Sequence, residues 1–117
     1  MNTLFIVLSS VVAMEHFYFL ILEMFFWTKP KGLKTFGLTP EQAENSKTLA
    51  ANQGLYNGFL GAGLIWGMTS SQQDVVMFFL FCVTLAGIYG WISTKKPKLF
   101  FVQALPALFA MAAGLFT

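Results

Sequence analysis

The sequence predicts an all-α fold: an integral membrane four-helix bundle with both termini outside and a short cytoplasmic helix between helices 1 and 2. Composition, the spacing of apolar runs and the placement of lysines carry that prediction. Of 117 residues, 56% are hydrophobic and only 10% charged, whereas about a quarter of a soluble domain is charged. Four apolar runs, at about 3–27, 47–68, 74–92 and 98–116, each come near the ~20 residues that a helix needs to cross hydrocarbon. Together they make a single transmembrane domain over 1–117 and leave little chain for a soluble one.

All seven lysines, Lys29, Lys31, Lys34, Lys47, Lys95, Lys96 and Lys98, lie in or beside the first and third connections. The second connection, from Thr69 to Asp74, has none. Basic residues are retained on the cytoplasmic side of short loops, which orients connections one and three inward. So lopsided a distribution also opposes insertion in both orientations. Attraction to anionic lipid accounts for these lysines without nucleic acid.

The first run lacks a basic leader, exceeds the apolar core of a secretory signal and carries two glutamates, so it reads as a retained helix. Within it, Glu15, His16 and Glu23 interrupt an otherwise apolar stretch, AMEHFYFLILEMFFW. Ionisable groups at membrane depth are costly and persist where they face protein or water, which makes them candidates for function. At about 100° per residue, Glu15, Phe19, Glu23 and His16 share one face, with Phe17, Ile21 and Met24 opposite. The rise of ~1.5 Å per residue nevertheless separates Glu15 from Glu23 by about 12 Å, so no single metal ion is held by all three.

The first connection contains Pro30, Gly32 and Gly37 as chain breakers. Thr39, Pro40 and Gln42 then form a helix start, with a capping hydroxyl, proline at the first position and glutamine three residues after the cap. Leu33, Phe36 and Leu38 would rest against the membrane face, as a lid or as a plain linker. Helix 2 carries Asn52, Gln53, Tyr56 and Asn57 on one arc, with Gly54, Gly58 and Gly61 beside it. Small residues four apart let membrane helices approach closely, which makes helix 2 central.

The second connection repeats the capping device with Ser70 or Ser71 as the expected cap and Asp74 in the first turn, where the helix dipole favours an anion. Trp27, Trp66 and Trp91 fall at helix ends, where indoles anchor at the interface. Helix 3 contributes Thr84 and Tyr89, and helix 4 Gln103. Cys82 sits alone in an apolar run and reads as a small buried residue rather than a redox or metal site.

With helix 1 running inward and helix 2 outward, Glu23 is expected level with Asn52 and Gln53, and Glu15 and His16 level with Asn57. Tyr89 and Gln103 fall in the cytoplasmic half. These positions predict a polar cavity opening to the cytoplasm or inner leaflet, closed outside by residues such as Phe5, Leu64, Phe109 and Met111. The candidate catalytic set is Glu15, His16 and Glu23, since neighbouring acid and base groups near neutrality hold, donate or relay protons. The ligand-orienting set is Asn52, Gln53, Tyr56, Asn57, Tyr89 and Gln103. No metal and no cofactor is expected, because a phosphate loop, paired cysteines and a second histidine are all lacking.

EHFYFLILEMFFWTKPKGLKTFGL followed by KTLAANQGLYNGFLGAGLIWG resembles the small bacterial membrane family called domain of unknown function 1304. The resemblance covers essentially the whole chain and implies four helices, a multi-pass place in the bacterial inner membrane and the same site residues, without an activity. Likeness to small multidrug exporters extends only to length and a first-helix glutamate. The leading expectation is an intramembrane Glu/His/Asn site that binds a small amphiphile or lipid and performs acid/base chemistry on it, as an isomerase or hydrolase. A proton-coupled transporter of organic cations, acting as a homo-oligomer, is the second reading, and a structural or accessory membrane subunit the third.

Overall fold

The computed structural model describes residues 1–116. Among them the chain is all-α. It runs through α1 (Thr3–Phe25), α2 (Pro30–Phe36), α3 (Pro40–Thr69), α4 (Gln73–Thr94), a π-helical turn (Phe100–Ala104) and α5 (Leu105–Gly114). Helices α1 and α4 are long and apolar enough to cross a membrane, and Phe100–Gly114 is a shorter apolar helix. The backbone forms two compact units, one of Met1–Met14 with the chain from Ala62 onward, the other Glu15–Gly61.

Four features depart from expectation, each for a local reason. Helix α1 stops at Phe25, two residues before the expected end at Trp27. A separate helix then forms over Pro30–Phe36, with proline in its first turn, where the missing N–H costs nothing. It ends at Gly37, whose φ of 64° is left-handed, and Leu38 N–H closes the turn onto Leu33 O. Such an ending favours glycine. Gly32 has its own constraint, since a Cβ there would sit 2.0 Å from the Phe26 carbonyl oxygen. The helix expected from Pro40 is the first stretch of α3 itself, which continues without interruption for 30 residues.

At the start of α3 the capping box forms as its residues predict. Thr39 N–H donates to Gln42 Oε1 at 3.0 Å, and Gln42 N–H donates to Thr39 Oγ1 at 3.1 Å. Two N-terminal donors are thereby satisfied. The expected serine cap of the next helix is instead the ending of α3. Ser71 is left-handed with φ 57°, while Ser71 N–H bonds Met68 O and Gln72 N–H bonds Gly67 O, the Schellman pattern. Ser70 Oγ donates back to Trp66 O. Gln72 precedes α4 without a side-chain cap.

In the first unit, Phe5, Val12, Leu64, Val76, Leu80 and Val83 are buried together with Ala104, Ala107 and Ala110. Asn2 ties the chain ends of this unit: its Oδ1 accepts from Phe5 N–H, capping α1, and its Nδ2 donates to Ala113 O. Gln73 Nε2 donates to Gly114 O. At Gly87, a Cβ would meet the Ala104 backbone nitrogen at 2.7 Å, so α4 packs on the π-helical turn through bare backbone. The turn has an identifiable cause. Pro106 follows it and lacks the N–H that an α-helix would use, and Leu105 N–H reaches back five residues to Phe100 O. Inserting one residue in this way accommodates proline inside a helical segment.

Candidate functional site

Within α1 the buried residues Phe5, Ser9, Val12, His16 and Glu23 recur at intervals of four, three, four and seven. That is the 3.5-residue seam of closely packed helices. Helix α3 shows the matching seam in Ala50, Gly54, Asn57, Gly61 and Leu64, all buried. Glycine dominates the α3 side.

In the unit Glu15–Gly61, these seams meet backbone to side chain. A Cβ on Gly54 would approach Met24 Cγ at 2.8 Å, Glu23 Cβ at 3.0 Å and Leu20 O at 3.3 Å, and one on Gly58 would lie 2.5 Å from Leu20 Cδ1. At this close approach the Asn57 side-chain amide donates to Glu23 Oε1. Both residues are buried, Glu23 at 4% and Asn57 at 8% exposure. A hydrogen bond to an acidic group in a water-poor seam offsets the desolvation that burial imposes.

The other polar station lies about 10–12 Å nearer the start of α1 at ~1.5 Å per residue. His16 is fully buried and meets Phe19 edge to face, with centroids 5.3 Å apart. Glu15 is half-buried on the flank of the seam. Its Oε1 is buried and makes no hydrogen bond. Adjacent positions thus place an acceptor with no donor and a fully buried imidazole in the same turn of α1.

Of the expected orienting groups, Asn57 is joined to an acidic residue, Glu23. Glu23 was expected level with Asn52 and Gln53; its bond to Asn57 puts the register about one turn away. Asn52 and Tyr56 are exposed on the other side of α3, and Gln53 is exposed at the edge of the buried row. In the first unit, Tyr89 is 72% exposed, Gln103 is half-buried in the π-helical turn, and buried Thr84 donates to Leu80 O. Phe5 and Leu64, expected to close the cavity, are buried, whereas Phe109 is exposed.

Two polar residues were not anticipated from the sequence. Ser9 is fully buried with an unpartnered Oγ, and its place seven residues before His16 on the α1 seam is the signal that marks it. Ser46 Oγ accepts from Trp27 Nε1 at 3.0 Å and donates to Gln42 O. Trp27 also packs on Phe36 of α2, centroids 4.8 Å apart. The indole expected as an interfacial anchor therefore also pins α2 and α3 to the end of α1.

Fold and site together define a class: an all-α protein with helices able to cross a membrane and, in one of them, a buried and a half-buried glutamate. The chain belongs to the family described as protein of unknown function DUF1304, whose model matches residues 10–115. It is 35% identical to the uncharacterized protein YpaA of Lactococcus lactis subsp. lactis (strain IL1403) over 120 residues, covering 99% of this chain and all of that protein. No solved structure matches it.

Proposed function

We propose that this chain is a multi-pass protein of the bacterial inner membrane, spanning it four times, with an intramembrane site that binds a small amphiphile or lipid. The site carries out acid/base chemistry on the ligand's polar end, as an isomerase or hydrolase. Glu15 and His16 act as the acid/base pair. Glu23 and Asn57 form a second station, where the carboxyl is held in place and the amide orients the ligand. The 30 residues of α3 reach about 45 Å, more than the ~30 Å of hydrocarbon. Lysine placement sets the orientation, with connections one and three inside.

The observation that carries this reading is the buried, unpartnered Glu15 Oε1 next to the fully buried His16. Glu23 has its donor in Asn57; a buried acceptor with no donor is the exception that calls for a role. The test is to incubate purified protein with membrane lipids and hydrophobic metabolites and compare wild type with Glu15→Gln and His16→Ala. Binding or turnover that is lost in both variants supports the site. Turnover or binding that depends on neither residue overturns it.

A further inference from the structure

We propose that the outward face of α3 is the contact surface for a second copy of this chain, in a parallel two-fold dimer centred on Asn52. This does not depend on the chemistry above, but it rests on the reading of α3 as a membrane-spanning helix inserted in one orientation. Helix α3 has two seams. One is the buried row from Ala50 to Leu64. The other, about half a turn around, is Asn45, Leu49, Asn52, Tyr56 and Phe59, again spaced four and three apart and exposed along its whole length. Leu49 is 74%, Tyr56 62% and Phe59 55% exposed, and Tyr56 and Phe59 already stack on each other at 5.8 Å.

The outward faces of α1 and α4 are of another kind. Leu4, Val7, Val11, Met14 and Ile21 on α1, and Phe78, Phe81, Leu85 and Ile92 on α4, are the large exposed apolar residues that lipid covers without cost. Only the α3 face adds side-chain amides, from Asn45 and Asn52, and neither forms a hydrogen bond within the described residues. Polar side chains on membrane helices turn toward protein and bond across helices. Asparagine on such a seam fixes register and oligomer state.

The identity of the partner follows from symmetry and chemistry. Copies inserted in one orientation are related by an axis along the membrane normal, so α3 meets α3 in parallel and each residue faces its own counterpart at equal depth. Few side chains gain from meeting themselves. A carboxamide does, because it donates through nitrogen and accepts through oxygen. Asn52 opposite Asn52 makes a self-complementary, isologous contact, flanked by Leu49 on one side and the Tyr56–Phe59 pair on the other.

The experiment uses full-length protein in native membranes, with Cys82 replaced by alanine and single cysteines placed at Leu49, Asn52, Tyr56, Phe59, Val11 and Phe81. Oxidative cross-linking is expected at the four α3 positions and near background at Val11 and Phe81. In parallel, the mass of the purified protein in detergent is expected to be that of a dimer. Asn52→Leu should raise the dimer dissociation constant roughly three- to twentyfold, the range of one interhelical hydrogen bond in a bilayer. Helix content by circular dichroism checks that each variant is folded. A wild-type monomer, cross-links at Val11 or Phe81 as strong as those on α3, or an Asn52→Leu variant that dimerises as well as wild type would each overturn the proposal.

Discussion

Asn57 donates its side-chain amide to Glu23 where α3 comes close to α1, and the approach is possible because Gly54 and Gly58 flank the amide on the same helix. A Cβ at Gly54 would fall against Glu23 Cβ and the Leu20 carbonyl. The polar bond and the glycine contact are therefore one structure. Asn57→Leu leaves a buried acidic group without its donor and is expected to cost about 1–3 kcal/mol. Glu23→Gln keeps an oxygen acceptor for Asn57 and should cost less. Gly54→Val should cost at least as much as Asn57→Leu, because it removes the bond by separating the helices. Denaturation of the purified protein in detergent ranks the three.

Two glycines in the other unit separate backbone contact from side-chain contact. At Gly63 an added Cβ would meet the Phe79 ring at 2.5 Å, and at Gly87 it would meet Ala104 N at 2.7 Å. A ring can turn aside, but a backbone cannot. Gly87→Ala should destabilise by about 1–3 kcal/mol, as overpacking does, and Gly63→Ala by less. Thermal unfolding midpoints of the two variants provide the comparison.

The capping box at Thr39 and Gln42 sits on the exposed start of α3. Thr39→Ala is expected to lose about 0.5–2 kcal/mol of local helix stability. Amide hydrogen exchange should quicken over Glu41 to Ser46 and remain unchanged beyond Gly54.

The Thr39–Gln42 capping box and the glycine approach were legible in the sequence because each follows from local chemistry or spacing, whereas Asn52, Gln53 and Tyr56, expected to face α1, are exposed. Thr39 and Gln42 need only each other, and Gly54 and Gly58 need only their spacing. The misread features depend on how segments meet. Pro30 reads as a breaker and equally as a first-turn residue; the close fit of Gly32 against Phe26 and of Phe36 against Trp27 decides for a helix. Ser71 has the chemistry of an N-cap, yet its left-handed backbone ends α3. The pairing of Glu23 with Asn57 rather than Asn52 or Gln53 is a register, set by where small residues let the helices touch. Pro106 was the available sign of the π-helical turn.

The central claim is that Glu15 and His16 perform proton chemistry on a membrane-borne ligand. Its most direct test is mass spectrometry of a total membrane lipid extract incubated in deuterium oxide with the purified protein. Wild type is expected to change at least one lipid or hydrophobic metabolite, by deuterium uptake or by cleavage, and Glu15→Gln and His16→Ala are each expected to abolish that change. An extract identical after wild type and after the Glu15→Gln, His16→Ala double variant would contradict the account.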